Sequence, residues 1–319
     1  MSKISKLGLG IVVFDDTFHL KNITSEIRDL CDEITICLQH ESYYNEPISQ
    51  DVVDYVNTLK EEGLVDSIIW FTASRKYDND SDFIGFDDPI RNDASTPLSE
   101  EELQSILAKR QEEHKNLAPR LIETDKRNFI LDYLEGECKC SHSLVIDSDE
   151  FYDHDDFKTS KELIDKKDDI HVVYCQYLNY YRDYQHLMVW PFICYVPFIT
   201  ESFYRYSFKN GSFDRPSDPT RRFLIEGENA QYCILSFKTV KMHHLSWIRK
   251  NIMDKIDNWS SKMYFQDNQG LIERILDRYN NYKDGQNAVI MFNTPNNEVV
   301  VNKLNTRYIN PKYNLLDLK

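Results

Sequence analysis

Residues 144–152 read Leu-Val-Ile-Asp-Ser-Asp-Glu-Phe-Tyr, an apolar run ending in two carboxylates one residue apart, Asp147 and Asp149, with Glu150 beside them. A continuous apolar run is the pattern of a strand buried on both faces. At the carboxyl end of such a strand, where ligands bind in open α/β sheets, a short turn aims both oxygens at one hard divalent cation. A cation held in this way commonly grips a diphosphate as well. The same spacing also serves an ordinary turn followed by a helix cap, so the neighbouring residues have to decide.

Upstream, Lys126-Arg127-Asn128 falls at the start of a helix expected over 124–134, where cationic side chains and free backbone N–H groups together hold a nucleotide phosphate or ribose. Downstream, Met242-His243-His244-Leu245-Ser246-Trp247 precedes a basic helix start at Arg249-Lys250. Imidazole suits manganese as carboxylates do, although adjacent histidines also serve as a cap or a surface pair. An aromatic stretch from Tyr174 to Tyr184, followed by Trp190, suits a sugar ring or a stacked base, or simply packs a sheet. Arg205, Arg215, Arg221 and Arg222 form a local basic concentration, either reading phosphates or lying on a solvated turn. Cys138-Lys-Cys140 with His142 has no second Cys/His pair at zinc-finger spacing, so zinc is set aside.

The elements that must position these groups follow from periodicity. Residues 7–14, 34–38 and 67–72 read as strands, and 22–30 and 52–62 as helices with apolar positions at three- and four-residue steps, the second stopped by Gly63. Strand, helix, strand, helix, strand at this pace builds a parallel sheet. Residues 73–99 turn polar and read as an insertion or loop, and Ser99-Glu100-Glu101-Glu102 opens a charged helix to about 115. Strands are expected at 170–177, 188–196 and 232–237, helices at 245–258 and 270–281, and late strands at 288–292 and 298–301.

The order Lys-Arg-Asn, apolar helix, Gly-Glu turn, strand with D-x-D, and a later His-His-x-Ser-Trp resembles the nucleotide-sugar-dependent glycosyltransferases of the GT-A fold, of the family-2-like kind. The resemblance implies a Rossmann-like three-layer α/β sandwich with a mainly parallel central sheet and a mixed acceptor-side second half. It divides the chain into a nucleotide-sugar half at 1–150, an acceptor half at 151–260 and a C-terminal helix and tail at 261–319. It implies donor contacts from Phe14, Asp15, Asp16, Lys126, Arg127, Asn128, Asp147 and Ser148. Mn²⁺ or Mg²⁺ would sit on Asp147 and Asp149, with His243 or His244 as third ligand. The last carboxylate would touch the metal, and the first the ribose or a metal-bound water.

The implied activity is transfer of a sugar from a nucleotide-diphosphate donor to an acceptor hydroxyl. Glu201, Asp214, Asp218 and Glu226 are candidates for the base that an inverting enzyme needs. The acceptor is a saccharide or a hydroxymethylated base in DNA, since the size and the His-His-x-Ser-Trp-x-Arg-Lys pattern are also similar to bacteriophage enzymes that glycosylate modified bases. Two other readings stand beside it. A sugar-phosphate nucleotidyltransferase normally carries a glycine-rich basic loop where Phe14-Asp15-Asp16-Thr17 stands, and a non-catalytic nucleotide-sugar-binding module would lose the metal carboxylates.

Composition bounds these readings. The chain has 319 residues with 41% hydrophobic content, enough for a large core, and its 9 glycines and 10 prolines exclude low-complexity classes. With 53 acidic against 38 basic residues the formal charge is −15, which draws the chain neither to nucleic acid nor to an anionic membrane except through a local basic groove. The apolar stretch at 187–199 holds two prolines and is shorter than the roughly 20 residues of a bilayer span. Residues 7–14 are too quickly followed by acids for a signal peptide. Seven dispersed cysteines read as buried, reduced thiols. The expectation is a soluble cytoplasmic protein, in the host cytoplasm if viral, with its oligomeric state open.

Overall fold

The computed structural model describes residues 3–42, 46–73, 120–167, 170–189, 193–207, 215–223, 231–249, 251–258, 269–290 and 298–304. The polar insertion beyond residue 73, the charged helix at 99–115, Trp190, Asp214 and Glu226 lie outside the described residues.

Strand β1 (Leu7–Val13) is buried at every position because it has a parallel neighbour on each side. These are β2 (Glu33–Gln39) and β4 (His142–Asp147), and β2 is parallel in turn to β3 (Ser67–Phe71). Helices α1 (Leu20–Ile27) and α2 (Gln50–Glu61) cross between them, burying Leu20, Ile23 and Ile27, and Val52, Val56 and Leu59. Gly63 follows α2 at φ 74°, the left-handed conformation that ends a helix most readily in glycine. Helix α3, residues 120–136, covers the other face and carries Ile130, Leu131 and Leu134 inward. It lies so close that a Cβ on Gly10 would stand 2.1 Å from Ile130 Cγ2. Apolar clusters therefore fill both faces of the sheet, with Leu9, Ile11, Ile23 and Val56 on one side and Val12, Cys37, Ile130 and Val145 on the other.

Beyond β4 the pairing turns mixed. Strand β8 (Tyr195–Glu201) runs antiparallel to β4, and β6 (Val172–Tyr181) antiparallel to β8. β7 (Asp183–Val189), β12 (Glu298–Lys303) and β11 (Ala288–Val289) extend that edge. β5 (Glu150–Phe151) and β9 (Tyr232–Ile234) are short, and β10 (Lys241–Trp247) bridges β5 and β6. Helix α4 (His154–Asp165) is capped by the Asp153 carboxylate, which accepts from the backbone N–H groups of Asp155 and Asp156. Helices α5 (Ile252–Asn258) and α6 (Gln269–Asn280) pack with β11 and β12 in a third cluster around Ile256, Leu271 and Ile275.

The result is a mixed α/β fold around one 12-stranded sheet, compatible with a Rossmann-like arrangement. The stretches 1–150, 151–260 and 261–319 all contribute strands to that sheet. No helix among the described residues is long and apolar enough to cross a membrane. All seven cysteines are free, and burial pushes Cys31, Cys37, Cys140 and Cys175 up to about 12.

Two expectations are corrected. The helix expected over 245–258 is a strand to Trp247 and a helix only from Ile252. Leu245, Ile248, Ile252 and Ile256 recur at three- and four-residue steps, a helical spacing that carries on through the end of the strand. The strand expected over 188–196 is divided between β7, which ends at Val189, and β8, which begins at Tyr195. Pro191 stands in that run, and proline cannot donate to a ladder.

Candidate functional site

After Asp147, the last residue of β4, the chain turns through Ser148 and Asp149 and comes back as β5 against β10. Leu245 N–H donates to the Asp149 carbonyl at 2.7 Å, which pins the turn to β10. Register then does the assembly. His244 stands opposite Glu150 on one side and opposite Asn179 of β6 on the other, so the three form one row across three strands. Ligand atoms of Asp149, Glu150 and His244 all lie within 4.8 Å of one another, the only such His/Cys/Asp/Glu group found among the described residues. His244 Nε2 is 3.5 Å from Asp149 Oδ1, and His244 Nδ1 is 2.5 Å from Asn179 Oδ1. Asp149 is 5% exposed, yet its Oδ1 has no hydrogen-bond partner. A buried carboxylate oxygen without a donor, facing a second carboxylate and an imidazole, is a donor set that fits Mn²⁺ or Mg²⁺.

Cations surround these acids. Arg127 from α3, fully buried, donates through Nη2 to both Asp147 oxygens at 2.9 Å and to Glu123 at 2.8 Å. Arg221, in a 3₁₀ turn over Pro219–Arg221 capped by Asp218, donates to Asp147 at 2.5 Å and to Glu150 at 2.6 and 2.8 Å. Arg249 Nη2 is 3.2 Å from both Asp149 and Asp16, and its Nη1 is 3.7 Å from Asp15. Burial alone would push Asp147 up, but Arg127 and Arg221 outweigh it and bring the carboxyl down to about 2. Burial likewise opposes ionisation of Asp149, and His244, Lys255 and Arg249 together hold it well below the usual carboxylate range. Glu150 is raised by burial and by the nearby Asp147 charge, with Arg221 in opposition. Burial lowers Lys126 and Lys255 against the pull of the nearby carboxylates.

These groups line a cavity of about 330 Å³ at the carboxyl ends of β1 and β4. Phe14, Asp15, Lys126, Asp147, Ser148, Asp149, Asp218 and His244 all face it. Asp16 is 6% exposed and reaches the site through Arg249. Arg127 lies behind Asp147 as its buried counter-ion. The Lys126-Arg127-Asn128 triplet is interior to α3, so its backbone N–H groups are not the free ones of a helix start. Asn128 clamps the backbone of Tyr206 instead, donating to its carbonyl at 2.9 Å and accepting from its N–H at 2.8 Å.

His243 faces away from the cavity, because adjacent residues on a strand point to opposite faces. It is fully buried beside Phe151, and its Nδ1 shares a hydrogen bond with the Tyr180 hydroxyl at 2.7 Å. Burial pushes it down to about 3, so it is a neutral core residue and is not brought to the carboxylates. Glu201 is also elsewhere. It pairs with His142 at the start of β4, roughly 16 Å along the strand from Asp147 at ~3.3 Å per residue. Asp218 faces the cavity but its Oδ1 caps Thr220, and its Oδ2 lies 3.5 Å from Arg221 Nε.

Sequence reasoning missed Glu150 as a ligand candidate, Arg221 and Arg249 as counter-ions, Asn179 as anything beyond a member of the aromatic stretch 174–184, and Lys255 altogether. Glu150 stood beside the acidic pair and the two arginines were visible as basic residues. Asn179 and Lys255 carried no local signal, since only strand register and the placement of α5 bring them in. No protein-family model and no curated protein sequence matches the chain.

Proposed function

We propose that the chain transfers a glycosyl group from a nucleoside-diphosphate sugar to an acceptor hydroxyl, using Mn²⁺ or Mg²⁺ held by Asp149, Glu150 and His244. The observation that carries this reading is the donorless, buried Asp149 Oδ1, set against Glu150 and His244 beside Arg249 and Lys255. Bound there, the cation would supply positive charge to the departing diphosphate. Arg249 and Lys255 reinforce that charge, since cations fixed in a recessed site stabilise a developing anion without reorganising. Asp147, held ionised by Arg127 and Arg221, is the natural acceptor for a ribose hydroxyl. In the transfer, the acceptor oxygen bonds to the anomeric carbon as the bond to the diphosphate oxygen breaks, and the acceptor proton passes to a base or to the departing phosphate. The acceptor is a saccharide or a hydroxymethylated DNA base. The −15 formal charge favours the saccharide.

A second reading draws on the guanidinium pairing. Asp147 and Glu150 bind Arg221, and Asp149 contacts Arg249, so the site could take an anionic nucleotide on its cations with no metal. One screen separates the two: thermal unfolding with UDP, GDP, CDP, ADP and their sugar conjugates, with and without Mn²⁺. A ligand that binds the native state raises the melting temperature by mass action. A rise that requires Mn²⁺ is expected. A rise indifferent to Mn²⁺ would favour the metal-free reading, and no rise with any nucleotide would sink both. Release of a nucleoside diphosphate from a donor that shifts the transition separates glycosyl transfer from nucleotidyl transfer, which releases pyrophosphate.

A further inference from the structure

We infer that Asn179 is a positioning residue that fixes His244 in its Nδ1–H tautomer and so presents the Nε2 lone pair to the cation. The inference rests on the divalent-cation reading of the Asp149 centre. Asn179 is 5% exposed in the middle of the sheet, and its Oδ1 is 2.5 Å from His244 Nδ1. The atom that meets the imidazole is the amide oxygen, and an amide oxygen only accepts. The nitrogen it meets therefore bears the proton. A neutral imidazole has one N–H, so Nε2, 3.5 Å from Asp149 Oδ1, carries the lone pair.

The opposite tautomer would aim an N–H at the place where a cation must bind. Register makes the arrangement hard to escape, because Asn179 and His244 are paired residues on adjacent parallel strands and face the same side. The Tyr177 ring meets the His244 ring edge-on at 6.1 Å and closes that side of the imidazole. A partner on the non-ligating N–H orients a histidine and raises its basicity as a ligand, and its loss typically weakens metal binding about 10–100-fold.

The test is Mn²⁺ titration of the full chain, followed by electron paramagnetic resonance of free Mn²⁺, for wild type, Asn179→Leu, Asn179→Asp and His244→Ala. Asn179→Leu removes the acceptor and should weaken Mn²⁺ binding about 10–100-fold. Asn179→Asp keeps an acceptor for Nδ1–H and should bind at least as tightly as wild type. A purely structural role for Asn179 would lower the melting temperature in both variants without this split. Long-range ¹H–¹⁵N spectra of the metal-free wild type at pH 8, with His244 assigned through His244→Ala, should show the Nδ1–H tautomer and need no folded Asn179 variant. The Nε2–H tautomer in those spectra would overturn the inference. So would Asn179→Leu binding Mn²⁺ as wild type does while His244→Ala does not, and in that case the metal reading survives. Absence of Mn²⁺ binding by the wild type would overturn the metal reading and this inference with it.

Discussion

The two oxygens of Asp149 are unlike with respect to Arg249: Oδ2 accepts from Arg249 Nη2 at 3.2 Å, whereas Oδ1 makes no hydrogen bond and has His244 Nε2 3.5 Å away. One oxygen ties the turn after β4 to the segment after β10, and the other is left facing His244 and Glu150. Asp149→Asn keeps the shape but halves the acceptor capacity and removes the charge. Mn²⁺-dependent thermal stabilisation should vanish, and donor turnover should fall by about 10²–10³-fold, the usual cost of losing a charge-stabilising group. Turnover within tenfold of wild type, measured by release of nucleoside diphosphate, would remove Asp149 from the metal site.

The two adjacent histidines should separate cleanly. His243→Ala opens a space beside Phe151 and strips the Tyr180 hydroxyl of its hydrogen-bond partner. It should lower stability by about 2–4 kcal/mol, as buried large-to-small changes do, with little effect on Mn²⁺ affinity. His244→Ala should do the reverse. Denaturant unfolding and Mn²⁺ titration of the same two proteins decide it, and matching effects in both would mean that strand alternation does not divide their roles.

What the sequence made legible, and what it hid, follows from the range of the interactions. The parallel strands and the acidic turn were readable because burial on both faces leaves an unbroken apolar run, and the apolar run 144–146 leads directly into carboxylates at 147, 149 and 150. Lys126-Arg127-Asn128 was readable as a cluster but not as three separate tasks. Consecutive helical residues lie about 100° apart, so Lys126 reaches Gln39 at the cavity, Arg127 lies under Asp147, and Asn128 grips Tyr206. The histidines were misread as a helix lead-in because the apolar residues from Leu245 to Ile256 keep helical spacing. Had β10 been read as a strand, alternation would have sent only one of them to the cavity. The Glu150, His244 and Asn179 row is a matter of register between distant segments, which no local pattern encodes.

The close seating of α3 on β1 makes its own prediction, because α3 delivers Lys126 and Arg127. A methyl on Gly10 would collide with Ile130 Cγ2, a branched side chain with little room to turn. Gly10→Ala should cost about 1–3 kcal/mol through overpacking. Combined with Ile130→Ala, it should cost less than the two single changes added together, since the second removes the obstructing atom. Additive costs in urea unfolding would show that the helix shifts away instead.

Arg221 holds Asp147 and Glu150 together, and all three side chains are largely recessed. Arg221→Met should destabilise by about 3–5 kcal/mol, because the cost lies in two acids left facing each other without their shared counter-ion. The loss should be largest near neutral pH. Asp147 is held at about 2 in the folded chain against 3.8 for the free carboxylate. Its contribution is therefore full above about 4 and fades as pH falls from there to about 2. A destabilisation by Arg221→Met that did not shrink between pH 4 and pH 2 would contradict this assignment.

Acid sensitivity between pH 4 and pH 6.5 should come from elsewhere, and His142 is the clearest source. It begins β4 with no exposed surface, its Nδ1 is 3.0 Å from Ser141 Oγ, and its Nε2 has no partner. Burial pushes it from 6.5 down to about 4, with the Asp165 charge opposing only in part. The folded chain thus keeps His142 neutral where the unfolded chain has already protonated it. Between those values the unfolded state binds more protons, so the His142 contribution is complete above pH 6.5 and is lost as pH falls towards 4. The full swing is about 3 kcal/mol at ~1.4 kcal/mol per unit of pKa. His243, down at about 3, adds to the same slope. Asp16 and Glu150, raised by burial, act in the opposite direction. Comparing wild type with His142→Leu cancels those shared contributions. The gap in unfolding free energy between the two should move in favour of His142→Leu by up to about 3 kcal/mol from pH 7 to pH 4. A gap that stayed constant across that range would mean that His142 is charged, or solvated, in the folded chain.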